Sequence, residues 1–186
     1  MELFEAVNTR HSYRGAYADT AVPREHLRQI MEAGLAAPSG CNKQTTYLIG
    51  VDDKDLLRDL LGIMDPPTCP TAPAAILVLT ERRAAYTDGY GIPRCYAVQD
   101  YAAAIENMLL AVTALGYASC WIEGHITDAD EQGRRMAERL NVPAQYELIC
   151  ILPVGVPLDG MKLPRKRDFP QRACFNGWSI PERTAR

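Results

Sequence analysis

Arg10-His11-Ser12-Tyr13-Arg14 places two guanidinium groups and a serine hydroxyl within five residues. Such a set can grip a phosphate or a carboxylate, because arginine presents a planar fork of donors and serine a single donor–acceptor. Taken alone, the same residues also read as a solvated basic pair. A second segment, Pro38-Ser39-Gly40-Cys41-Asn42-Lys43-Gln44, carries two side-chain amides. Each amide offers donors and an acceptor, which suits the edge of a heterocycle. The bland alternative is ordinary turn chemistry after a helix. A third segment, Gly116-Tyr117-Ala118-Ser119-Cys120-Trp121-Ile122-Glu123-Gly124, ends in Glu-Gly. That ending lets backbone N–H groups approach a flat ligand closely, or it simply closes a buried strand.

Other chemistries are excluded by what the chain lacks. No GxxxxGK[ST] occurs, and Gly89 and Gly91 are followed by Arg94 where a GxGxxG would need its third glycine. The cysteines (Cys41, Cys69, Cys95, Cys120, Cys150 and Cys174) form no CxxC or CxxH, so zinc ribbons and thioredoxin-type sites are not expected. They read as reduced thiols, several of them buried. The three histidines have no metal-ligand spacing, and there is no GxSxG nucleophile elbow.

The elements that must position these segments come from a chain of 186 residues, 47% apolar and 23% charged, expected to form one domain. Residues 2–9 read as a short helix. Leu27, Ile30, Met31 and Leu35 give one helical face from Pro23 to about Ala36. Strands are expected at 46–51, 74–80, 119–122 and 147–156, and helices capped by Asp52 or Asp53 and running to about Leu61, and from Thr127 to about Leu140. Residues 81–97 read as a polar, tyrosine-bearing loop. The longest helix, about 96–115, spaces Val98, Ile105 and Val112, and also Tyr101, Met108 and Leu115, seven apart. This pattern fits either a core helix or one packing on its copy in a twofold dimer. The order implies α+β or α/β, with four strands in one sheet.

Charge is unevenly placed. The net is −3, yet residues 157–186 hold seven basic and three acidic residues, which leaves −7 on the rest. The longest nearly unbroken apolar run, Leu148–Leu158, has 11 residues, short of the roughly 20 needed to span a membrane. The first residues carry no apolar block, so a cytoplasmic location is expected and no membrane partner. Nucleic-acid binding through Arg165-Lys166-Arg167 is disfavoured by the acidic body and the absence of an aromatic–basic platform.

Together the three segments resemble the nitroreductase family of flavin mononucleotide (FMN) enzymes. Arg10 to Arg14 matches the family's R-[HR]-S-x-[RK], and Ala37 to Gln44 its A-P-S-x-x-N-x-Q. Asp100 to Gly116 is similar to the long helix D-x-x-A-A-I-E-N-M-L-L-A-A-x-x-L-G, and Cys120 to Gly124 to the C-W-I-x-G strand. Pro153 to Pro157 and Lys162 to Arg167 resemble a P-V-G-x-P exit and a K-L-P-[KR]-x-R motif.

The resemblance implies an α+β fold, a mixed but mainly antiparallel sheet flanked by helices, in an interlocked homodimer whose C-terminal tail (157–186) reaches over the partner. It implies that Arg10, Ser12, Arg165 and Arg167 hold the FMN phosphate, with His11 alongside and Arg14 near the pyrimidine end. Pro38, Ser39, Gly40, Asn42 and Gln44 would come from the other subunit, with Asn42 near the substrate face. Ile122, Glu123 and Gly124 would place backbone groups near flavin N5 and O4. No side chain need act as nucleophile, because the cofactor carries the redox chemistry. The implied reaction is ping-pong: NAD(P)H reduces the flavin, then a nitroaromatic, quinone, flavin or activated alkene takes the electrons. The 81–97 segment would be a lid, with Tyr86, Tyr90 and Tyr96 available to stack on an acceptor. Some relatives place a lysine before the second strand; here nothing between Arg58 and Arg82 is basic, so Thr68, Cys69 or a backbone group would serve. Alternatives are a specialised flavoenzyme of the same fold, such as a reductive dehalogenase or azoline dehydrogenase, or a non-catalytic flavin-binding module.

Overall fold

A computed structural model gives the fold of the chain and describes all residues except 65–67, 84, 125, 127–130, 161–162 and 181–186. Helices α1 (Leu3–Thr9) and α2 (Arg24–Leu35) precede strand β1 (Thr46–Val51), and α3 (Lys54–Leu61) leads to β2 (Ala74–Thr80). A small hairpin, β3 (Tyr86–Thr87) and β4 (Pro93–Arg94), comes before the long helix α4 (Ala97–Ala114). Helix α5 (Gln132–Arg139) and strand β5 (Glu147–Val154) follow, then a tail that includes a 3-10 turn at Phe169–Gln171.

The main sheet runs β1-β2-β5, antiparallel throughout. Every residue of β2 is buried, as its unbroken apolar sequence requires of a central strand. Alternate side chains serve opposite faces. Ala75, Leu77 and Leu79 join a core with Leu57, Leu60 and Met136 from α3 and α5, and with Tyr13 and Tyr17 from the N-terminal segment. Ala74, Ile76 and Val78 join a second core with α2 and α4.

Local signals account for the helix ends. The Asp53 carboxylate accepts the Leu56 N–H at 2.8 Å, capping α3. Gly116 adopts φ +81° just past α4, the left-handed conformation that glycine reaches without penalty. Within this chain α4 is a core helix: Tyr101, Ala104, Ile105, Met108, Leu109 and Val112 are buried. Val98, expected in the same stripe, is exposed. Each fully buried side chain of this size contributes about 1.5–3 kcal/mol over an exposed one.

Two expectations are corrected, and a third falls partly outside the described residues. Residues 119–122 do not form a fourth strand; Ala118 pairs with Gly155 and Ile122 with Ile151 as isolated bridges. The register of those pairs sets Cys120 opposite Pro153, which has no N–H, so the ladder breaks there. The loop at 81–97 contains the β3–β4 hairpin. The helix expected from Thr127 is described from Gln132, and its expected start lies outside the described residues. No helix among the described residues is long and apolar enough to cross a membrane.

Candidate functional site

The basic segment and the Glu-Gly segment lie side by side. Helix α1 ends at Thr9, and the Arg10 N–H closes its last turn on the Ala6 carbonyl at 2.9 Å. Ser12 then bridges to Ser119 in parallel, and the Tyr13 N–H donates to the Ser119 carbonyl at 2.8 Å. Arg10 is steadied from α4, its Nε 3.2 Å from Glu106 Oε1. The His11 Nδ1–H donates to the Thr9 carbonyl at 2.9 Å, since a carbonyl can only accept. His11 Nε2 and Ser119 Oγ are buried with no hydrogen-bond partner among the described residues.

Arg14 is exposed, and its charge reaches two buried thiols. Burial pushes the Cys69 thiol up to about 11, and Arg14 pulls in the opposite direction. Burial also raises Cys120, opposed by Arg14 and by a hydrogen bond with Ser12. Cys69 therefore sits within the field of the basic segment. Both thiols are protonated at neutral pH and act as small buried hydrophobes.

The Glu-Gly turn is clamped by its own side chain. Ile122 exchanges backbone hydrogen bonds with Ile151 at 3.2 and 3.0 Å. The Glu123 carboxylate accepts from the Tyr101 hydroxyl at 3.0 Å and from the Trp121 indole N–H at 2.8 Å. A Cβ placed on Gly124 would meet nothing within 4 Å, so the backbone there faces open space.

The amide segment forms a tight loop. Cys41, Asn42 and Gln44 all hold left-handed φ of 51°, 53° and 51°. Such a conformation costs a non-glycine residue roughly 1–2 kcal/mol, least for asparagine, so contacts must hold the loop. The Gly40 N–H donates to Asp100 Oδ1 at 2.7 Å, the Thr45 hydroxyl donates to Asp100 Oδ2 at 2.7 Å, and the Gln44 N–H donates to Ser39 Oγ at 3.0 Å. Pro38, Ser39 and Gln44 line a cleft of about 500 Å3 together with Thr46, Asp100 and Ala104. Asn42 is exposed on the turn.

The β3–β4 hairpin is ordered by one carboxylate. Asp88 Oδ1 accepts the Tyr90 and Ile92 N–H groups, each at 2.9 Å, and Oδ2 accepts Arg94 Nε at 2.8 Å. The Ile92 amide, with Tyr90 and Arg94 behind it, holds the Asp88 carboxyl below the usual aspartate range. Tyr86 and Tyr96 approach with their hydroxyls 3.3 Å apart and ring centroids 6.2 Å apart. Tyr96 also covers Gly40, where a Cβ would overlap the tyrosine ring. Tyr90 is 91% exposed at the hairpin tip. Arg165 and Arg167 are exposed on the tail and form no ion pair among the described residues.

The structure thus joins Arg10–Arg14 to 119–124, and joins the 38–44 loop to the hairpin segment through Tyr96. Four supporting residues escaped the sequence reading: Asp88, Asp100, Tyr101 and Glu106. Asp88-Gly89 is a turn signal that was available, and Asp100 is conspicuous as a buried carboxylate in a mostly apolar helix. The donor set, rich in arginine and hydroxyl groups beside an open backbone turn, fits a phosphate-bearing planar heterocycle. No group of three His, Cys, Asp or Glu residues among the described residues suits a metal ion.

Comparison with known proteins gives consistent results. The model of the nitroreductase family matches residues 7–64 and 67–156. A protein of Archaeoglobus fulgidus, provisionally named NADH dehydrogenase/NAD(P)H nitroreductase, is 30% identical over 159 residues, covering 85% of this chain and 87% of its own length. The crystal structure of a nitroreductase with bound FMN from Bacteroides fragilis superposes with a TM-score of 0.71 at 28% identity, covering 98% of this chain and all of that one. An FMN-dependent nitroreductase from Clostridium difficile gives a TM-score of 0.76 at 27% identity, covering 94% and 99% of the two chains.

Proposed function

The chain belongs to the nitroreductase family, an oxidoreductase family, and from that premise we propose that it is an FMN-dependent enzyme that takes electrons from NAD(P)H and passes them, ping-pong, to nitroaromatic, quinone, flavin or activated-alkene acceptors. The observation that supports this reading is the pairing of Ser12 and Tyr13 with Ser119, which brings the Arg10–Arg14 segment against the one that ends in the open Glu123-Gly124 turn. FMN bound there supplies a ring nitrogen, N5, through which hydride is accepted and released.

The chain's own residues bind and orient. Arg10, Ser12 and the tail's Arg165 and Arg167 hold the phosphate, with His11 alongside; Arg14 lies toward the pyrimidine end, where a cation raises the reduction potential. Ile122, Glu123 and Gly124 present backbone groups to the ring, and the Tyr101–Glu123–Trp121 clamp fixes their angle. Pro38, Ser39, Gly40, Asn42 and Gln44 supply the polar edge facing ring and substrate. The lid, 81–97, limits access, with Tyr86, Tyr90 and Tyr96 offering flat apolar surface to an aromatic acceptor.

A cytoplasmic homodimer completes this reading. Leu3, Phe4 and Val7 on α1 and Leu163, Phe169, Phe175 and Trp178 on the tail are exposed large apolar residues, more than a lone chain of this size would leave uncovered. A second copy would cover them and supply the 38–44 loop to the neighbouring site.

Purified protein reconstituted with FMN should show flavin absorbance that bleaches anaerobically with NADH or NADPH and recovers when a nitroaromatic or quinone is added. Protein that takes up no FMN would overturn the reading. Flavin that binds but never bleaches would favour the non-catalytic module.

A further inference from the structure

We propose that Asp100 is a positioning residue for the flavin-facing loop 39–44, a role that rests on the FMN reading above. The carboxylate is 5% exposed and stands in the first turn of α4. Burying a charge there requires compensation, and three sources supply it. The Gly40 N–H donates to one oxygen and the Thr45 hydroxyl to the other, each at 2.7 Å. The N-terminal end of α4 adds its dipole, which favours an anion.

These contacts bracket the strained part of the loop. Gly40 precedes left-handed Cys41 and Asn42, and Thr45 follows left-handed Gln44. One carboxylate therefore pins both ends of the turn that presents the Asn42 and Gln44 amides. Thr45 is itself fixed to the sheet edge: its carbonyl accepts the Glu81 N–H at 3.0 Å and the Thr80 hydroxyl at 3.3 Å. The close approach is possible because residue 40 is glycine, since a Cβ there would overlap the Tyr96 ring beside it. Asp100 also lines the cleft with Ser39 and Gln44, directly behind the loop.

A residue that only stabilised α4 would, when changed, fray the helix start. A residue that positions the loop would loosen residues 39–45 and leave β2 unaffected. Hydrogen–deuterium exchange of the FMN-free protein separates these without reference to activity. In Asp100→Ala, peptides covering 39–45 should exchange about tenfold faster, while β2 keeps its protection. FMN affinity, read by quenching of flavin fluorescence, should fall about tenfold. Asp100→Asn should restore both to within about threefold, because its amide oxygen still accepts from Gly40 and its NH2 donates to the Thr45 hydroxyl. Thr45→Val, which removes one contact at nearly constant volume, should give an intermediate exchange rate and decides the matter if Asp100→Ala does not fold. Unchanged exchange at 39–45 in either variant, or an asparagine no better than alanine, overturns the proposal. If the wild-type protein binds no FMN, the functional reading fails and the exchange data still judge the anchor.

Discussion

The Tyr101 hydroxyl lies 3.0 Å from Glu123 Oε1, so the central helix grips the Glu-Gly turn from the position next to the one that grips the 39–44 loop. Two successive helical residues thus support two loops far apart in sequence.

Tyr101→Phe removes the donor and keeps the hydrogen bond from the Trp121 indole to the carboxylate. A hydrogen bond to a charged group contributes about 1.5–3 kcal/mol, so urea unfolding should show a loss in that range. Burial first, and Glu123 second, raise the Tyr101 hydroxyl from 10.0 to about 12. The folded value exceeds the unfolded one, so this contribution is intact below pH 10 and is lost as pH rises toward 12. Ultraviolet titration should show a tyrosine ionising in that window, absent from Tyr101→Phe.

Arg10→Ala and Arg167→Ala should each raise the FMN dissociation constant about tenfold or more, because in the proposed site each deletes a charge-assisted contact to phosphate. Equilibrium dialysis against FMN reads this. Riboflavin, which lacks the phosphate, should bind the variants and the wild type alike. Glu106→Gln should not weaken FMN binding, since it removes the carboxylate that now faces Arg10 at 3.2 Å.

Gly40→Ala forces a methyl group into the Tyr96 ring. Overpacking of this kind costs about 1–3 kcal/mol, so the thermal midpoint should drop. The strain should be relieved by adding Tyr96→Ala, and a double-mutant cycle measures that coupling.

Asp88→Ala removes the acceptor for two backbone amides and Arg94, so the hairpin tip should become a site of rapid proteolysis. In the wild type the Asp88 carboxyl titrates below its ordinary 3.8, chiefly because of the Ile92 amide. The hairpin contribution is therefore present above that pH and lost as pH falls through the depressed value. Amide chemical shifts of Tyr90 and Ile92 followed against pH report it.

Sequence patterns located β2 and β5 because their unbroken apolar runs match nearly continuous burial, and the long helix because Tyr101, Ile105, Met108 and Val112 of its stripe are buried while Val98 is not. They also singled out three segments whose residue types are distinctive. They overstated the strand at 119–122, since a missing N–H on Pro153, in a different element, breaks its ladder. The β3–β4 hairpin is obscured in the sequence because its strands are two residues long and its order comes from one aspartate rather than from alternation. Asp100 and Tyr101 were read as helix positions; their function depends on what packs against the helix, which periodicity does not carry.

The pairing of Ser12 with Ser119 has a consequence for assembly. The two strands of contact lie more than half the chain apart, and the second is itself braced by Ile151 and Gly155. Closure of so long a loop is slow and entropically costly. The braced form of this pairing is available only once β5 has been made, because Ile151 and Gly155 hold the second segment. A chain stopped before residue 151 would retain Arg10 to Arg14 and still lack the scaffold that makes them a grip.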